Sequence, residues 1–164
     1  MSRRLSTLMS LVIGFLAMTS QSAVPQELLT QKVMSLDMAQ AIAQGALNTC
    51  RAEGFHVSIG VIDNGGTLKA FMRDDGAGLG SVEVSRRKAC TALILRRTSA
   101  ETVKVWASTT PVPIIPGTVA LSGGVPIKVG NDVIGAIGIS GAPDGDKEMA
   151  CANAGISRVA DKLK

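Results

Sequence analysis

The residues able to do chemistry in this 164-residue chain are few and stand out against an apolar background. Lys88 is the most informative: at helical spacing it shares a face with Val84, Thr91, Ala92 and Leu95. A lysine in such a stripe either snorkels at its edge or meets a buried partner or an anion. Asp63 and Arg73 bracket a hairpin, as a pair closing its end or as part of a site with Asp75 and Lys88. In Ser122-Gly123-Gly124-Val125-Pro126 the paired glycines either turn consecutive N–H groups inward around an anion or make a plain turn. Ser140 closes the run from Gly135 to Gly141, whose glycines mark a close approach of backbone or ligand in a valine- and isoleucine-rich strand. It is not a nucleophile elbow, because Ala142 occupies the last glycine position. His56, the single histidine, is either structural or a ligand.

The elements that must position these residues are legible from period and punctuation. Ser35 caps a helix with Met38, Ile42, Ala46 and Leu47 on one face, ended by Gly54. A strand over Val57–Val61 meets the turn signal Asp63-Asn64-Gly65-Gly66 and returns through Thr67–Met72, with Leu68, Ala70 and Met72 on one side. A glycine-rich loop then leads to a helix from Ser81 to about Arg97, whose other side carries Val82, Leu93 and Ile94 as a second burying surface. Thr98 to Glu101 reads as a capping box for a short helix. Pro111, Pro113 and Pro116 interrupt regular structure. Strands are expected at Thr118–Leu121, Val125–Val129 and Val133–Ser140, the last two joined by a turn at Gly130-Asn131-Asp132, and Asp146 is expected to cap a final helix. The order predicts an α+β domain: a five-stranded antiparallel sheet with helices on its faces.

Composition narrows the function classes. The only aromatics are Phe15, Phe55, Phe71 and Trp106, too few for a base-stacking platform. No dinucleotide or phosphate-loop fingerprint occurs. Arg3 and Arg4, an apolar run from Leu8 to Met18 and small residues at Ser20, Ser22 and Ala23 have the order of a secretory signal, cleaved after Ser22 or Ala23. That run is short of the ~20 residues a membrane span needs, so a stable anchor is not expected. The expected organisation is a signal over 1–23 and one domain over 24–164, exported to a periplasm or beyond. Positions 1–23 hold no acid, so cleavage lowers the formal charge from +4 to +2, which removes the case for a nucleic-acid binder. Arg86-Arg87-Lys88 reads as a solvated helix face. Three cysteines, Cys50, Cys90 and Cys151, allow one disulfide or none.

Several segments together resemble the GlcG/HbpS family: Val61-Ile62-Asp63-Asn64-Gly65-Gly66, Arg73-Asp74-Asp75-Gly76-Ala77, Lys88-Ala89-Cys90-Thr91-Ala92, Gly123-Gly124-Val125-Pro126-Ile127, Gly135 to Gly141, Asp146, and Cys151-Ala152-Asn153-Ala154-Gly155. The resemblance runs over residues 35–163 in order. It implies a profilin-like α/β/α fold and, from the secreted branch, an oligomeric haem-binding protein active in haem or iron sensing. On that reading His56 is a candidate iron ligand, and Arg73, Lys88 or the Gly123-Gly124 loop would hold propionates. The family pattern does not require a histidine at position 56. The alternative is a small enzyme or accessory protein acting on a small carboxylate such as a glycolate-type acid, with Asp63, Arg73 and Lys88 as its acid-base or anion-binding cluster.

Overall fold

A computed structural model describes residues 27–164; the expected signal over 1–23 lies outside the described residues. Four helices and four strands follow in the order α1 Leu36–Ala52, β1 Ser58–Asp63, β2 Leu68–Arg73, α2 Ser81–Leu95, α3 Ser99–Ala107, β3 Gly124–Val129, β4 Asp132–Ser140 and α4 Gly145–Ser157, with a closing 3₁₀ turn at Ala160–Lys162. The strands form one antiparallel sheet in the order β2-β1-β4-β3. Helices α1 and α4 pack on each other and on one face of the sheet, while α2 lies on the other against β4, β1 and β3. Because both faces are covered, β1 is buried along nearly its whole length instead of alternating.

The expected caps and turns account for most boundaries. Ser35 accepts a hydrogen bond from the Met38 N–H, and Thr98 and Glu101 complete a capping box. At the last helix the cap is Asp144, not Asp146: its carboxylate accepts from the Lys147 N–H at 2.9 Å. Helix α2 stops at Leu95, with Arg96 in the left-handed region at φ 54°.

The sheet has four strands and not five. Thr118–Leu121 is not a strand because a side chain has taken its backbone groups. The Val119 N–H donates to Thr91 Oγ1 at 2.9 Å, and the Val119 carbonyl accepts from the same hydroxyl at 3.0 Å. A bulge in β2 shifts its register: Val61 pairs with Ala70 but Ile62 with Leu68, leaving Lys69 over. Leu68 therefore joins the Ile62 side, away from Ala70 and Met72.

The two faces of the sheet differ in content. Toward α1 and α4 project Ile59, Val61, Val125, Ile127, Val129, Ile137 and Ile139, the main core. Gly45 and Gly155 let α1 and α4 approach closely, and Cys50 and Cys151, with Cα atoms 5.6 Å apart, form a disulfide between them. Toward α2 the sheet presents Gly60, Gly124, Ala136 and Gly138. A Cβ on Gly138 would collide with the Ser85 carbonyl of α2, and one on Gly124 with the Lys88 carbonyl. The missing side chains let the α2 backbone lie almost directly on the sheet. Cys90 stays a buried free thiol, pushed up from its ordinary value by burial.

Candidate functional site

The close approach of α2 carries Lys88 inward. Its side chain is 6% exposed, and its ammonium donates to Glu148 Oε2 at 2.5 Å. Glu148 lies in the first turn of α4, and its other oxygen accepts from the Gly141 N–H at 3.0 Å. Burial pushes the Glu148 carboxyl above its ordinary value, against the pull of Lys88 and the Gly141 N–H. Gly123, at φ 116°, makes room for the pair: a side chain there would meet Glu148, Lys88 and the Ile139 carbonyl. Lys88 is thus neither snorkelling nor solvated, whereas its neighbours Arg86 and Arg87 lie on the surface and pair with Glu83.

A cleft of about 600 Å³ opens at this pair. Lys88, Glu148, Ser140, Ser122 and Asp144 supply its polar lining, with Val84 and Leu121 among its apolar walls. Gly124 does not offer a ligand its N–H, which is taken by Ser99 Oγ at 2.8 Å. The Gly123 carbonyl accepts from the Ile139 N–H. The glycine pair therefore acts here as a spacer and strand start, with no inward pair of N–H groups.

A second constellation lies where β1 begins and β2 ends. Asp74, just beyond β2, is buried and accepts two hydrogen bonds from Arg51, at 2.6 and 3.0 Å. The Arg51 guanidinium lowers the Asp74 carboxyl to about 2, so it is ionised and can only accept. The His56 Nδ1 stands 3.3 Å from its second oxygen. Nδ1 must therefore be the donor, and in the neutral ring Nε2 keeps its lone pair, on a side chain 63% exposed. A carboxylate holding one ring nitrogen while the other is open is the arrangement that orients a histidine toward a metal. Arg73 sits at the same sheet end, opposite Ser58, and donates to the Ala77 carbonyl at 2.6 Å. Exposed Asp75 lies in the loop between them.

Asp63 does not join either group. The antiparallel register places Asp63 beside the turn and Arg73 at the opposite end of the hairpin, so the two do not pair, and Asp63 stands apart from the Lys88 cleft. Asp63 accepts from the N–H groups of Gly65 and Thr67 and so shapes the turn. The sequence-derived candidates thus divide between the two ends of the sheet: Lys88, Ser140 and the Gly123 spacer at the cleft with His56 and Arg73 beside it, Ser140 and Arg73 both pairing with Ser58, and Asp63 remote at the other end.

Three important residues were missed from sequence. Glu148 had a signal, since it shares its helical stripe with Cys151, Ala152 and Gly155, and an acid in such a stripe asks for a buried cation. Arg51 and Asp74 had none, because their meeting depends on how α1 packs beside β2.

The layered fold is that of a small α+β domain with a cleft and a carboxylate-backed imidazole at its strand ends. A family model described as "Haem degrading protein HbpS-like" matches residues 34–157, and the chain belongs to this family. Protein GlcG of Escherichia coli strain K12 is 35% identical over 112 residues, which cover 68% of this chain and 84% of GlcG. The crystal structure of a double mutant of Streptomyces reticuli HbpS superposes with a TM-score of 0.77 at 34% identity, covering 83% of this chain and 93% of that one. A PduOC complex with haem shares the fold at 21% identity and a TM-score of 0.69, covering 77% of this chain and 95% of that one.

Proposed function

We propose that the chain is an exported haem-binding protein serving haem or iron handling, in which His56 would hold the iron. The observation that carries this reading is the Arg51–Asp74–His56 series, which leaves Nε2 open on an exposed ring. The donor set fits the group: a neutral imidazole is an ordinary donor to haem iron, and its hydrogen bond to a carboxylate raises its basicity. Arg51 and Arg73 stand near enough to the imidazole's end of the sheet to offer propionates positive charge. When bound, haem would supply a redox-active iron, while the chain's own residues orient the ligand nitrogen and keep its proton on Nδ1.

Membership of the haem-degrading HbpS-like family supports the ligand class. Export is supported by the leader pattern and by the Cys50–Cys151 disulfide, a bond that reducing cytosols disfavour. No helix among the described residues is long and apolar enough to cross a membrane. Self-association is supported by Leu79, Val82 and Ile94, apolar residues left exposed on and beside α2.

A hemin titration followed at the Soret band tests the reading. The expected result is a saturable shift for the parent protein that is lost in His56→Ala. No shift in either protein would overturn haem as the ligand.

A further inference from the structure

The Lys88–Glu148 cleft has a binding capacity of its own that the haem reading does not use. Lys88 carries three N–H donors, of which one goes to Glu148; no second protein acceptor is found among the described residues. The ammonium is buried and borders the cleft, so the remaining donors ask for an oxygen from a ligand. The cleft volume is in the range that holds small organic molecules, and its walls are largely Val84, Val103, Ala120, Leu121, Ala142 and Pro143.

We propose that this cleft binds a free small carboxylate with an apolar body, taken up together with one proton. The proton follows from the geometry. A ligand carboxylate on the spare Lys88 donors comes close to the Glu148 carboxylate held by the same nitrogen. Two carboxylates sharing one cation in a desolvated site cannot both stay ionised, so one retains a proton and donates a hydrogen bond. Glu148 is the group already pushed toward its neutral form by burial.

The ionisable groups facing this point are few. Helix α2 contributes Lys88, and the α4 N-terminus contributes Glu148 and Asp144, whose carboxylate is held by the Lys147 N–H. Strand β4 contributes Ser140, and the segment before β3 contributes Ser122, neither ionisable at ordinary pH. Asp144 is exposed, so solvent screens its charge, and the demand for a proton rests on Glu148. The His56 ring is turned toward Asp74 and Gly76, but the His56 carbonyl packs on Gly141, which lines the cleft, so a haem propionate is the competing occupant and hemin is the competitor to test against a free acid.

Butyrate is a suitable probe, titrated calorimetrically in two buffers of different ionisation enthalpy and at several pH values. One-site binding with uptake of one proton is expected, weakening about tenfold for each pH unit above the Glu148 titration. Glu148→Gln, which mimics the protonated acid, should keep binding and lose its pH dependence. Lys88→Met should abolish binding. No saturable binding by the parent protein, binding without proton uptake, or binding that survives in a folded Lys88→Met would overturn the proposal. If Lys88→Met does not fold, the parent's proton uptake and the Glu148→Gln profile decide. Displacement of butyrate by hemin would overturn a free acid as the occupant. A Soret titration unchanged by butyrate would support separate sites, and failure of hemin to bind would leave the butyrate result standing.

Discussion

The two faces of the sheet solve different problems with the same strands. The α1/α4 face is a wall of isoleucine and valine closed by a disulfide, and the side chains this layer brings to the candidate sites, Arg51 and Glu148, come from helix ends and not from the sheet. The α2 face has almost no side chains of its own near Gly124 and Gly138, and the space they leave brings Lys88 to Glu148. Aliphatic bulk on one side gives stability through burial; its absence on the other gives position. In strand β4 the two roles alternate residue by residue: Ile137 and Ile139 face the core, while Ala136 and Gly138 face α2.

The largest effect expected from disturbing this division is at the ion pair. Lys88→Met leaves a buried carboxylate without its cation and should cost about 3–5 kcal/mol in urea unfolding. The double variant Lys88→Met/Glu148→Leu should recover most of that loss, since well-packed apolar side chains replace such pairs readily. A single-variant loss below ~1 kcal/mol would show that water reaches the pair.

Next come equal-sized changes on opposite faces of one strand. Gly138→Ala adds a methyl where the Ser85 carbonyl already sits and should destabilise by about 1–3 kcal/mol. It should also disturb the cleft, because α2 must move. Ile137→Val removes a methylene on the aliphatic face and should cost about 0.5–1.5 kcal/mol with the cleft unchanged. If Ile137→Val impaired butyrate binding as much as Gly138→Ala, the separation of roles would fail.

The smallest effect is at the sheet end. The Asp74 carboxyl is held below its unfolded value of 3.8, down to about 2, mainly by the Arg51 hydrogen bond. Its contribution is therefore present above about pH 4 and lost as pH falls toward 2. Asp74→Asn should flatten that acid limb in urea midpoints measured against pH. A limb of unchanged steepness would assign the acid sensitivity to other carboxylates, such as Glu83 with its two arginine partners.

These contrasts explain what the sequence could and could not disclose. The helices, hairpins and most caps were readable because each depends on residues within a few positions: Ser35 and Met38, Thr98 and Glu101, Asp63 and Gly65. The fifth strand failed because a distant hydroxyl, Thr91 Oγ1, claimed the backbone of Val119. Lys88 stood out by its place in an apolar stripe, but its partner lies 60 residues away on a helix that only the fold brings near. The Asp63–Arg73 association failed on register, since residues bracketing a hairpin symmetrically in sequence need not share an end. The partners of His56 were not legible, because Asp74 and Arg51 come from a loop and a helix that only the fold brings to it.

The Asp74-held His56 imidazole is proposed as the group that meets haem iron, and chemical rescue is the sharpest test of that assignment. The visible spectrum of hemin with His56→Ala should lack the parent's ligated bands and regain them when free imidazole is added. A His56→Ala spectrum and affinity equal to the parent's, with no response to imidazole, would show that His56 does not ligate the iron.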